Sequence, residues 1–206
     1  LFVLGSVLAP LFIGMLVGSW VFAAGTLSLP SLLTGVGLIA LSVTNGAAFL
    51  AAKTSGDLRE AMRSYGIAGT LAYLGGVVVL LAVVVATDAG DAADTILSIP
   101  GVAVVGLSVV VGVGGIVAAR TENDRLWFAS TLALSGLLVG LVALLLYPTV
   151  YPPDGLTIEE AVVSPLALNL TTVLGLPVLL VVLWYFKFLY GVFAGPIEPE
   201  GEGYGG

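Results

Sequence analysis

The sequence predicts an all-α, polytopic transmembrane bundle of six helices. Three observations carry this. Of 206 residues, 59% are hydrophobic, only 9% are charged, and apolar runs of membrane-spanning length recur along the chain. A soluble domain carries about 25% charged residues, so this chain lacks the polar surface that a water-facing fold needs. Intrinsic disorder is excluded by the same arithmetic, because it requires low hydrophobicity. A barrel is excluded by pattern, since barrel strands alternate and are about half as long as these continuous runs.

A helix crosses the hydrocarbon core with about 20 apolar residues, and six stretches meet that length. The first covers residues 1–25. It starts at Leu1 with no polar anchor, which reads as a chain lacking its N-terminal part; a signal peptide is the alternative, but a basic leading region is missing and the run is long. The others cover 29–52, 66–87, 96–119, 126–147 and 166–193. Their connections are Thr26–Ser28, Lys53–Tyr65, Asp88–Thr95, Arg120–Arg125 and Pro148–Pro165, none long enough for a soluble domain. The spans form one transmembrane domain over residues 1–195. The tail 196–206, rich in Pro, Gly and Glu, reads as disordered and cytoplasmic.

Charge fixes the orientation. Lys53, Arg59 and Arg63 lie between spans two and three, Arg120 and Arg125 between four and five, and Lys187 near the end of span six. Six crossings put all of these on one face, and the positive-inside rule places it in the cytoplasm of a cell-membrane protein. The opposite loops carry Asp88, Asp91, Asp94, Asp154, Glu159 and Glu160, with no Lys or Arg. Such an acidic face fits a salt-adapted, haloarchaeal proteome; an outer face acidic for no special reason is the alternative.

Ionisable groups inside a membrane are costly and mark function. No Asp or Glu falls within the six spans. Lys187 sits among Trp184, Tyr185, Phe186, Phe188 and Tyr190, where a Lys snorkels to the headgroups. Asn45, with Ser42 and Thr44, is the main uncharged polar group; it serves as helix–helix glue or as a ligand contact. Gly14-x-x-x-Gly18, Gly136-x-x-x-Gly140 and Gly191-x-x-x-Gly195 carry the small-residue spacing of close helix packing. Gly35-Val-Gly37 has no preceding strand and is no dinucleotide fingerprint. Gly112-Val-Gly114-Gly115 lacks the Gly-Lys-Ser/Thr of a phosphate loop, and the sequon at Asn169 is too near the membrane for glycosylation. With no His and no Cys, the chain offers neither imidazole nor thiolate ligands, and a net charge of −7 argues against nucleic acid.

Two stretches go beyond composition. Asn45-Gly46-Ala47-Ala48-Phe49-Leu50-Ala51-Ala52-Lys53-Thr54-Ser55-Gly56-Asp57-Leu58-Arg59-Glu60 resembles subunit II of cytochrome bd-type quinol oxidases. In that family a helix ends in a Gly-Ala pair, followed by a basic residue, Thr, a variable residue, Gly, an acid and Leu. Tyr147-Pro148, Pro152, Leu156-Thr157, Ala161, Ser164-Pro165, Leu168 and Asn169 are similar to the family's later loop, and Pro177 then falls within the last span. Departures are Val182, where the family often has Tyr, and Val163, in place of one Ser of a pair.

The resemblance implies the last six helices of an eight-helix subunit built as two four-helix bundles. It implies a partner, subunit I, which carries haems b and d and the quinol-binding loop, the complex coupling quinol oxidation to reduction of O2 to water. The family's intramembrane carboxylates, implicated in proton uptake, would lie in the absent helices. On this reading the chain is scaffold and partner, with no catalytic, cofactor-ligating or metal-ligating residue of its own, although a quinone or lipid can bind between its helices. Its interaction or structural positions are Asn45, Gly46, Lys53, Asp57, Arg59, Glu60, Ser164, Pro177 and Lys187. The loop carrying Lys53–Arg63 binds subunit I or anionic lipid, or only anchors topology. A secondary transporter or channel is the competing class and would need a mid-membrane polar site at Asn45, Ser42 and Thr44. A structural membrane anchor without an enzymatic partner is a third.

Overall fold

The structure is a computed structural model and describes residues 2–87, 92–162 and 164–192. It is all-helical apart from one small hairpin. The chain runs through α1 (Phe2–Val21), α2 (Leu29–Lys53), α3 (Asp57–Thr87), α4 (Ala92–Leu97), α5 (Ile99–Arg120) and α6 (Asp124–Leu146). A hairpin of β1 (Thr149–Tyr151) and β2 (Leu156–Thr157) follows, closed by a 3-10 turn at Pro152–Asp154. The short α7 (Ile158–Ala161) then leads to α8 (Pro165–Val192). Six of the helices are long and apolar enough to cross a membrane.

Local chemistry sets the starts. Ser28 caps α2 by accepting from the Ser31 N–H at 3.4 Å, and Ser98 caps α5 by accepting from the Gly101 N–H at 3.3 Å. Each cap is followed two residues later by a proline, whose fixed φ suits the first helical turn. Asn123 caps α6 through the Leu126 N–H. Thr157 and Glu160 form a reciprocal capping box that starts α7.

Three boundaries differ from the hydropathy windows. α3 begins at Asp57, so most of the stretch expected as a connection, 53–65, is helix, and the link to α2 shrinks to residues 54–56. Asp57 and Glu60 sit in the first turn of α3, where the helix dipole favours acids, so a polar start is a good helix start. The fourth stretch divides at Ser98, leaving Ile96 in α4. The first helix stops at Val21, ahead of Ala23 with a φ of +47°. The tail 196–206, Asp88, Asp91 and Val163 lie outside the described residues.

α2 is the hub. It packs on α1, α3 and α6, and α5 packs on α6 and α3. The core forms three clusters along the bundle: Ala47, Ala48, Ala51, Ala118, Ala119 and Trp127 at the basic end; Leu41, Tyr73 and Leu134 in the middle; and Val21, Phe22, Val84, Ala92 and Ile96 at the other end. α1 meets α2 at glycines: a Cβ on Gly14 would stand 2.6 Å from the Gly35 Cα. Gly136 and Gly140 instead meet nothing within 4 Å, so that pair packs no helix among the described residues. The Trp20 indole donates to the Val150 carbonyl at 2.8 Å and ties the hairpin to α1. The most apolar window of α8 is 0% buried against the rest of the chain.

Candidate functional site

The richest polar cluster lies at the basic end. Gly56, at φ +65°, turns the chain from α2 into α3. Arg59 and Arg63, four residues apart, then share one face of α3. Across from them, Glu122 at φ +62° and the Asn123 cap turn the chain from α5 into α6, making Asp124 the first helical residue. A carboxylate there faces the positive end of the helix dipole.

Both guanidinium groups converge on Asp124. Arg59 Nε donates to Oδ2 at 2.7 Å, with its Nη2 at 2.5 Å from the same oxygen. Arg63 donates from Nε to Oδ1 at 3.1 Å and from Nη2 to Oδ2 at 3.3 Å. The Asp124 side chain is 6% exposed and that of Arg63 12%. A buried carboxylate is tolerated only when its lone pairs are engaged in this way. Glu122 adds a longer contact to Arg63 at 3.4 Å from the surface.

A tight apolar contact lies one turn deeper. Trp127 is fully buried, three residues after Asp124, and Gly66 lies three residues after Arg63. A Cβ on Gly66 would overlap the Trp127 ring. The same two helices are thus joined by charge at one level and by an indole against a glycine at the next.

Further along the bundle, Asn45 Nδ2 donates to Ser135 Oγ at 2.9 Å, and Ser135 Oγ donates to the Thr131 carbonyl. Thr44 and Ser42 return their hydroxyls to the Ala40 and Leu38 carbonyls of their own helix. Beside this level an apolar cavity of about 260 Å³ opens among α1, α2, α3 and α6, with Gly14, Leu38, Tyr73, Leu80, Leu138 and Val142 in its walls. Tyr73 is 3% exposed. Its hydroxyl has no hydrogen-bond partner among the described residues.

The nine positions singled out in the sequence do not converge. Arg59 joins the Asp124 cluster and Asn45 the contact with Ser135. Lys53 is half-buried at the end of α2, and Asp57 and Glu60 are exposed in the first turn of α3. Gly46 is exposed, with open space where a Cβ would stand. Ser164 accepts from the Ala167 N–H at 3.1 Å at the start of α8. Pro177 and Lys187 are exposed on α8. Sequence reasoning missed Arg63, Gly66, Asp124 and Trp127. The available signal was the pair of acids, Glu122 and Asp124, set between Arg120 and Arg125.

A family profile described as Cytochrome bd terminal oxidase subunit II matches residues 1–193. The chain belongs to this family. A comparison with curated proteins finds no match. Membership makes the chain a multi-pass membrane subunit with a role in the terminal oxidase, an oxidoreductase complex. It implies association with oxidase subunit I and haems bound within the complex.

This chain offers neither imidazole nor thiolate as a haem ligand. It has no His and no Cys. Both methionines are engaged in packing: Met15 lies against Gly35 and Met62 against the alanine and Trp127 cluster. Among the described residues, no group of three or more His, Cys, Asp or Glu could hold a metal ion.

Proposed function

We propose that this chain is the non-haem-ligating membrane subunit of a quinol:O2 oxidase and acts as scaffold for the haem-bearing subunit I in a heterodimer. The observation that carries this is the family match over residues 1–193. It is supported by a chain without His or Cys, whose polar groups serve helix–helix contacts. The complex oxidises quinol and reduces O2 to water, the haems and the quinol-binding loop belonging to subunit I. No residue of this chain is catalytic. The basic end faces the cytoplasm, in keeping with the positive-inside rule. The cavity beside Tyr73 suits the tail of a lipid or quinone, because its walls are almost wholly apolar. Of the residues that a transporter would need as a substrate site, Ser42 and Thr44 are back-bonded to their own helix and Asn45 Nδ2 donates to Ser135, although Asn45 Oδ1 is buried with no partner among the described residues.

Purification of the complex in mild detergent tests this. Haem absorbance and quinol-dependent O2 uptake are expected to co-elute with this chain. A chain that elutes alone and without haem overturns the proposal.

A further inference from the structure

At the basic end, the last turn of α2, the first turns of α3 and the α5–α6 turn enclose a second cavity of about 540 Å³. Its wall includes Ser55, Arg59, Glu122, Asn123, Asp124 and Arg125. The wall carries two guanidinium groups and two carboxylates, and Arg63 behind it shares Asp124 with Arg59, which leaves the cluster one positive charge in excess. Glu122 contacts Arg63 and is 71% exposed. Arg125 is exposed and has no ion pair or hydrogen bond among the described residues. The cavity therefore presents one unengaged guanidinium, a second that is partly exposed, and the side chains of Ser55 and Asn123, with the Glu122 carboxylate turned to Arg63 at its rim.

The level of the cavity decides which anion it suits. Within about one helical turn of it, Leu50, Val117 and Leu126 are 42%, 54% and 56% exposed. They belong to helices long and apolar enough to cross a membrane. The cavity therefore lies at the level where the polar end of the bundle gives way to exposed apolar side chains. Basic pockets between membrane helices at this level are headgroup sites, and a guanidinium pairs with phosphate by parallel N–H···O bonds.

We infer that this cavity binds the phosphate ester of an anionic phospholipid, with Arg125 and the free face of Arg59 as its cationic groups. The site is independent of the haem-subunit reading, since it lies within this chain.

The test uses the intact complex and phosphatidylglycerol as the probe. Native mass spectrometry counts the phosphatidylglycerol retained after detergent exchange. Thermal unfolding is compared in vesicles of phosphatidylcholine alone and of phosphatidylcholine with phosphatidylglycerol. Arg125→Gln is expected to weaken phosphatidylglycerol retention about fivefold, the effect of one basic residue near a membrane surface. Arg125→Lys keeps most of it. Arg120→Gln removes an equal charge from the same end but outside the cavity wall, and is expected to leave retention unchanged. Equal losses in Arg125→Gln and Arg120→Gln would mean diffuse attraction and overturn the site. Stabilisation by inorganic phosphate in pure phosphatidylcholine, matching that by phosphatidylglycerol, would make the ligand a free anion and overturn the lipid assignment. Loss of subunit I from Arg125→Gln with phosphatidylglycerol retention intact would make the cavity a protein contact and overturn it as well.

Discussion

Arg63 and Asp124 meet across α3 and α6 with an Nε–Oδ1 distance of 3.1 Å, and three residues further along each helix Gly66 lies against Trp127. The polar pair and the apolar pair therefore fix one crossing at two depths. Removing the acid leaves two arginines facing each other without their shared counter-ion. Asp124→Ala is expected to destabilise the subunit by about 3–5 kcal/mol, the usual effect of breaking a buried pair from one side. Replacing Arg63 and Asp124 together by leucine is expected to cost less than Asp124→Ala alone. Thermal unfolding of the purified complex measures both. Equal losses in the two variants would count against the pair as the cause.

The indole contact makes a separate prediction. Gly66→Ala places a methyl group within the Trp127 ring, so one of the two helices must move. Overpacking of this kind costs about 1–3 kcal/mol. Gly136→Ala adds the same methyl group where nothing lies within 4 Å. It is expected to leave the unfolding temperature of this chain nearly unchanged, or to raise it slightly through better helix propensity. A loss for Gly136→Ala as large as that for Gly66→Ala would overturn the assignment of Gly66 as the packing glycine.

The spans were legible because an uninterrupted apolar run has few other folds in a membrane. Their ends were less so. Hydropathy stops at the first charges, whereas a helix continues as long as its backbone bonds are satisfied, and α3 starts with Asp57, Leu58, Arg59 and Glu60. Helix pairing was harder still. Lipid-facing and helix-facing surfaces are both apolar, so the sequence alone does not separate Gly14, which packs on Gly35, from Gly136, which packs on nothing described. The Asp124 cluster was hidden for a related reason. Its members lie 61 and 65 residues apart in the chain, and charges near a helix end read first as topology anchors.

Asn45 and Ser135 separate a structural role from a conducting one. Their hydrogen bond of 2.9 Å joins α2 to α6. Interhelical hydrogen bonds in membranes average about 0.6 kcal/mol, so Asn45→Ala and Ser135→Ala are each expected to cost about that much. Quinol-dependent O2 uptake should stay close to that of the parent complex. If Asn45 relays protons or ions, Asn45→Ala would abolish turnover while unfolding changed little, and the scaffold reading of this residue would fail.

Glu160 carries a pH dependence with a definite sign. Its carboxylate accepts from the Thr157 N–H at 3.0 Å and from the Thr157 hydroxyl at 2.9 Å. These bonds favour the charged form, the backbone bond most, and hold its pKa below the ordinary value of 4.5. Because the folded pKa is depressed, the stabilisation is present above the unfolded pKa and is lost as pH falls through the folded one. The capping box at the start of α7 is therefore expected to loosen only in acid more extreme than that which protonates a free glutamate. An NMR titration of the Glu160 side chain in the complex should give a midpoint below the usual glutamate range, and Thr157→Val, which removes the hydroxyl bond but keeps the backbone N–H, should raise it only part of the way. A parent midpoint within the usual glutamate range would overturn the capping box as its cause, and one unchanged by Thr157→Val would leave the backbone N–H as the only contributor.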